Sequence, residues 1–274
     1  MNRKISIIVI ARSTDERKQI RTPKQSQLLR FSYSFVLLML ASFSNCFAGD
    51  HLNLEEGLPV QVEDAYPTAY RNREVQLITG WQHNDDNTDE FHLTPVLEFG
   101  VWPNTELEIS SDFLFGNADR TGSGNLSING LYNFNQESLF WPAFAISGGL
   151  TPPTGEDNEG VDTNIKFIAT KTVTGLHRIH FNLNLKNNDE PKDEERRNRY
   201  LAILGYSLPL NADTLLVMDY VREQQREKEM ESNIFEIGAR YKLTPRTVLA
   251  FGIGFGFGEE SPGFLTNFGF QYSF

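Results

Sequence analysis

Along the last eleven residues, Phe264 to Phe274, two kinds of side chain alternate. Phe264, Thr266, Phe268, Phe270, Tyr272 and Phe274 share one parity; Leu265, Asn267, Gly269, Gln271 and Ser273 share the other. Period two belongs to a strand, whose successive side chains point to opposite faces. An aromatic face backed by a mostly small and polar one suits a strand between lipid and a polar lumen. From this stretch alone, a buried edge strand of a soluble sandwich is the competing reading.

The same alternation recurs upstream. Val75, Leu77, Thr79 and Trp81 oppose Glu74, Gln76, Ile78, Gly80 and Gln82; Phe91, Leu93, Pro95, Leu97, Phe99 and Val101 oppose His92, Thr94, Val96, Glu98 and Gly100. Leu107, Ile109, Phe113 and Phe115 oppose Glu106, Glu108, Ser110 and Asp112. Leu126 to Phe134 repeats the pattern, and Ile179, Phe181, Leu183 and Leu185 face away from Arg178, His180, Asn182, Asn184 and Lys186. Phe235, Ile237, Ala239, Tyr241 and Leu243 oppose Glu236, Gly238, Arg240 and Lys242; Leu249 to Phe257 oppose a run of glycines, read as relief of crowding or curvature. Leu139–Gly149 is a strand too apolar to phase. Val161–Thr172 is a weak strand, and Arg199–Leu208 and Thr214–Arg222 are ambiguous in phase. With the terminal strand the count is twelve.

The connections decide between the readings. Short ones carry turn residues: Trp102-Pro103-Asn104, Asn135 to Ser138, Thr174-Gly175, Pro209 to Asp213 and Thr244-Pro245. Between them lie longer polar ones: His83–Glu90, Gly116–Gly124, Thr151–Asp162, Asn187–Asn198, Glu223–Ser232 and Gly258–Gly263. Outer-membrane barrels have short periplasmic turns and longer external loops. The pattern predicts an all-β fold, a closed antiparallel up-and-down transmembrane β-barrel of twelve strands over residues 73–274. Both termini would be periplasmic, in the outer membrane of a Gram-negative bacterium.

Composition narrows the picture. No stretch of the body is an apolar run long enough for a membrane helix. If the chain spans a bilayer, a closed barrel must do it, because backbone groups in lipid are all paired. Phe at 21 and Tyr at 9 suit strands and membrane girdles. The formal charge of −11 argues against nucleic acid as a partner. Residues 1–48 read as a signal peptide with a long basic region, the apolar run Phe35–Phe43, and cleavage between Ala48 and Gly49. Cys46 is the only cysteine and precedes that point, so no disulfide is expected. Residues 49–72 show no period and contain Pro59 and Pro67. They are expected to form a periplasmic lead-in, with a small plug as the alternative.

PVLEFGVWPNTELEI (95–109), FAISGGLTPPTGE (144–156), NADTLLVMDYVRE (211–223), LTPRTVLAFGIGFG (243–256) and the Phe-ended last strand resemble, in order, the outer-membrane protein family named for the meta pathway of phenol degradation. The resemblance covers roughly residues 60 to 274. It implies an outer-membrane transporter and, through the family name, an aromatic solute. It transfers no catalytic or binding residue.

Candidate chemistry lies on the inner parity: Glu74, Gln76, His92, Glu98, Glu106, Glu108, Asp112, Arg178, His180, Asn182, Lys186, Glu236, Arg240 and Lys242. These residues either select solutes along a pore or pair internally to satisfy one another. Phe264, Phe268, Phe270, Tyr272 and Phe274 form a candidate signal for the barrel-assembly machinery. The other expected partners are the lipid bilayer, lipopolysaccharide and a small solute. Acid clusters in the long loops, such as Asp189, Glu190, Asp193, Glu194 and Glu195, lack the acid and glycine positions of an EF-hand, so no metal or other cofactor is expected. The five histidines show no metal spacing. The expected function is a passive channel for a small solute, possible classes being aromatic or apolar. A structural or surface-interaction barrel without a conducting pore is the alternative. An enzyme is not expected; a lipid hydrolase would need a Ser–His pair, and His177 and His180 fall on opposite faces.

Overall fold

The computed structural model describes residues 50–84, 87–117, 121–155, 160–258 and 261–274. The expected signal peptide, its expected Ala48–Gly49 junction and part of the acidic loop clusters lie outside the described residues. The strands are β1 (Arg73–His83), β2 (Asp89–Trp102), β3 (Thr105–Gly116), β4 (Gly122–Asn135), β5 (Ala143–Thr151) and β6 (Asp162–Thr174). They continue as β7 (His177–Asn187), β8 (Asn198–Pro209), β9 (Thr214–Gln224), β10 (Glu231–Thr244), β11 (Thr247–Gly256) and β12 (Phe264–Ser273). Each strand pairs antiparallel with its sequence neighbours, and β1 pairs with β12 from Glu74↔Ser273 to His83↔Phe264. The result is a closed twelve-stranded antiparallel barrel, which leaves no free strand edge.

Side chains sort as period two requires. On β12, Leu265, Asn267, Gln271 and Ser273 are buried inside while Phe268 and Phe270 are exposed outside. Phe91, Phe115, Phe134, Phe251 and Phe255 extend this exposed apolar surface around the ring. At the short-turn end the chain reverses tightly: Asn104 has φ 62° and Gly175 has φ 55°, the left-handed region that turn residues supply.

Three details depart from the sequence reading. β5 starts at Ala143, not Leu139; Leu139, Phe140 and Trp141 stand in the preceding turn, each more than two-thirds exposed. Asn135 holds that turn, accepting from Phe144 N–H at 3.1 Å and donating to the Pro142 carbonyl at 2.8 Å. β8 and β9, ambiguous in phase, turn their aliphatics inward: Leu201, Ile203, Leu215, Val217 and Val221 are buried in the lumen. The third departure explains the second. Residues 51–68 of the expected lead-in lie inside the barrel at its short-turn end, and Leu54, Val60 and Val62 cover those aliphatics.

The inner segment is extended, so its backbone needs partners, and buried backbone groups are almost always paired. Lumen side chains supply them. Gln61 N–H donates to Glu236 (3.1 Å), Val62 N–H to Asp219 (2.8 Å), Glu63 N–H to Asn182 (2.9 Å), Ala65 N–H to Thr170 (3.0 Å) and Thr68 N–H to Glu106 (2.6 Å). Asn182, Asn133 and Asn267 donate back to the carbonyls of Glu63, Ala65 and Pro59. In order, these contacts run round the wall from β12 through β10, β9, β7, β6 and β4 to β3. The segment makes a circuit of the lumen before leaving it at Asn72.

Glycines on the inner parity make room for this circuit. A Cβ at Gly252 would come within 2.5 Å of the Pro59 carbonyl oxygen, and one at Gly100 within 2.0 Å of the Ala69 carbonyl oxygen. Gly252 on β11 therefore accommodates a docked segment.

Candidate functional site

The lumen has two storeys. The lower one, at the short-turn end, is filled by residues 50–72. Arg240 is its hub: fully buried on β10, it donates to the His51 carbonyl (3.2 Å), the Leu58 carbonyl (2.9 Å) and Gln271 (2.6 Å). Glu74 accepts from Asn72 (2.8 Å) and Ser273 (2.9 Å) and also bonds Gln271. Arg178 pairs with Asp64 of the inner segment (3.2 Å) and bonds the Leu52 carbonyl. Burial outweighs Arg178 and pushes the Asp64 carboxyl up to about 7. His180 sits between Thr170 (3.1 Å) and Ser207 (2.9 Å), fully buried, and His177 contacts Tyr206 elsewhere. Lys242, at the rim, pairs with Asp213 at 2.8 Å.

At the boundary between storeys, Lys166 on β6 binds both Glu56 and Glu63 of the segment, the latter at 2.5 Å. Glu55 meets Glu98 and Glu106, with one carboxylate oxygen of each within 4.8 Å of the others. Burial, then the nearby Glu106 and Glu74 charges, hold the Glu55 carboxyl well above the usual range. Glu98 accepts from Gln76 (2.7 Å) and Thr68 (3.1 Å).

The upper storey is a cavity of about 580 Å³ toward the long loops. The inner segment forms its floor with Glu55, Glu56, Gln61 and Glu63. His92, Glu108, Asp112 and Lys186 are on its wall, with Asn129, Asn184 and Arg199. Two long loops brace one side: Glu195 bridges to Glu227, and Arg226 pairs with Glu195 at 3.1 Å.

All the sequence-derived lining candidates thus face inward, but they divide. Glu74, Glu98, Glu106, Arg178, His180, Asn182, Glu236 and Arg240 hold the inner segment. His92, Glu108, Asp112 and Lys186 face the open cavity. Sequence reasoning missed Lys166, Arg199 and Asp219, which lie on strands it could not phase; Asp219 in the otherwise apolar run LLVMDYV was the available signal.

A closed antiparallel barrel with an apolar outside and a polar inside is the architecture of outer-membrane barrels. The chain belongs to the family described as "Putative MetA-pathway of phenol degradation", whose model matches residues 78–274. No curated protein matches the sequence. The fold is similar to that of an outer membrane channel from Pseudomonas putida F1 (TM-score 0.62, 14% identity, covering 81% of this chain and 100% of that one). It is also similar to the NanC porin (TM-score 0.55, 9% identity, 73% and 98%) and the KdgM porin (TM-score 0.53, 12% identity, 73% and 99%).

Proposed function

We propose that the protein is a passive channel of the Gram-negative outer membrane whose passage runs through the upper cavity and past the inner segment. The carrying observation is that cavity, walled by a closed barrel and floored by a piece of chain held in the lumen by hydrogen bonds and ion pairs. Family membership and the channel and porin folds support the reading. In this orientation the short turns and both termini are periplasmic, the long loops meet lipopolysaccharide, and the exposed aromatic belt meets lipid. Phe264, Phe268, Phe270, Tyr272 and Phe274 would serve the assembly machinery; removing Phe274 should then leave folded barrel scarce in the membrane fraction. The polar cavity lining favours a small polar solute over the aromatic one the family name suggests.

Planar-bilayer recording tests the channel. Discrete current steps that grow when residues 50–72 are deleted support it. A second variant avoids reliance on the deletion: Val62→Cys with Gly205→Cys, whose side-chain positions nearly touch, would tether the segment to β8. Oxidation should close the channel if the segment moves during passage. A silent bilayer with correctly folded protein would favour a structural barrel, a reading supported by the dense packing of the lower storey.

A further inference from the structure

The cations of the cavity wall are all answered. Lys166 is held by Glu56 and Glu63, Lys186 and Arg199 share Glu223 at 3.6 and 3.9 Å, and Arg226 has Glu195. Two cavity carboxylates of β3 are not: among the described residues no ion pair reaches Glu108 or Asp112. Glu108 takes only neutral donors, Ser110 (2.9 Å) and Asn129 (3.2 Å), and Asp112 takes Thr94 (2.6 Å). Glu108 and Asp112 therefore face the cavity with neutral partners only, and a concave low-dielectric wall focuses their field.

A second, independent feature points the same way. Asn184 on β7 lines the cavity, is 3% exposed, and its Oδ1 has no hydrogen-bond partner. A buried acceptor without a partner costs free energy that a ligand N–H would recover. The cavity has the size of a small-molecule site.

We infer that the upper cavity is a binding vestibule for a small organic cation, an ammonium-bearing solute held by Glu108 and Asp112 of β3 and the free carbonyl of Asn184. The inference rests on the channel reading for its physiological sense but not for its test. Reversal potentials in a potassium chloride gradient should show cation preference of about tenfold, the lower end of what a focused field supplies. Glu108→Gln with Asp112→Asn should abolish most of that preference, while Lys186→Gln should preserve it. Methylammonium chloride, whose N–H groups can donate to Asn184, should bind the detergent-solubilised protein in calorimetry, and weaker binding is expected for Asn184→Ala. Anion preference, or none, in a conducting protein overturns this inference and leaves the channel intact. A silent bilayer overturns the channel; calorimetry then decides here, and absence of methylammonium binding overturns the vestibule as well.

Discussion

The two storeys of the lumen are built from the same twelve strands and obey opposite rules. In the lower one, inward polar groups meet the backbone of residues 57–69, and inward aliphatics meet Leu54, Val60 and Val62. It is the interior of a folded protein. In the upper one, inward polar groups meet a cavity. A barrel wall does not by itself decide between core and vessel; a short piece of non-strand chain does. Charges of the lower storey hold a segment in place, whereas charges of the upper storey are available to a solute.

The sharpest way to break this division is at Arg240. Arg240→Leu strips the His51 and Leu58 carbonyls and Gln271 of their shared donor. The expected loss is about 3–5 kcal/mol of segment docking, as when one partner of a buried charged network is removed. Glutamate-specific proteolysis at Glu55, Glu56 and Glu63 should appear while the barrel stays heat-modifiable on a gel. Persistent protection would show that the segment does not depend on this hub.

Overpacking the groove should act next. Gly252→Leu places a side chain where the Pro59 carbonyl sits and should weaken docking by about 1–3 kcal/mol. The same proteolysis reads the effect, and Gly148→Ala, where a Cβ would meet nothing nearer than 3.8 Å, is the control for local crowding.

A smaller, graded effect comes from pH. The carboxyl of Asp64 titrates near 7 when docked against an ordinary value of 3.8. The docked state therefore binds more protons between those values, and docking weakens as pH rises through the window. Glu55, raised by burial and its acidic neighbours, adds in the same direction. Cleavage of the segment should be faster at pH 8 than at pH 5, and Asp64→Asn should flatten the difference. A profile of opposite slope would place the controlling charge elsewhere. At the bottom of the scale stands Arg222, whose pair with Glu231 lies on the outside. Arg222→Ala should leave the urea midpoint and the segment's protection unchanged, since exposed pairs contribute little.

Strand number, ring closure and the direction of most side chains were legible because alternation and loop length are local signals. Phe264–Phe274 and Arg178–Lys186 needed nothing beyond their own spacing. What escaped was whatever depended on the inner segment. Residues 50–72 carry no period because their partners are side chains scattered over the barrel wall, not a neighbouring strand. β8 and β9 resisted phasing because their inner faces are apolar, and those faces are apolar because Val60 and Val62 lie on them. Leu139–Trp141 looked like strand because apolarity at an exposed turn cannot be told from apolarity in a wall without the fold. The division of the lining was equally hidden: Glu106 and Glu108 sit two residues apart on one face, yet one receives the Thr68 backbone and the other the side chains of Ser110 and Asn129.

The circuit made by residues 57–69 has a mechanical side. A ring of strands resists stretching along its hydrogen bonds but yields readily to being squeezed oval. Hydrogen-bonded in turn to β12, β10, β9, β7, β6, β4 and β3, the inner backbone works as a hoop pressed against the staves of a cask from within. Flattening the wall at any point would have to bend that hoop, so the barrel takes the roundness of its mouth from a stretch of chain that belongs to none of its strands.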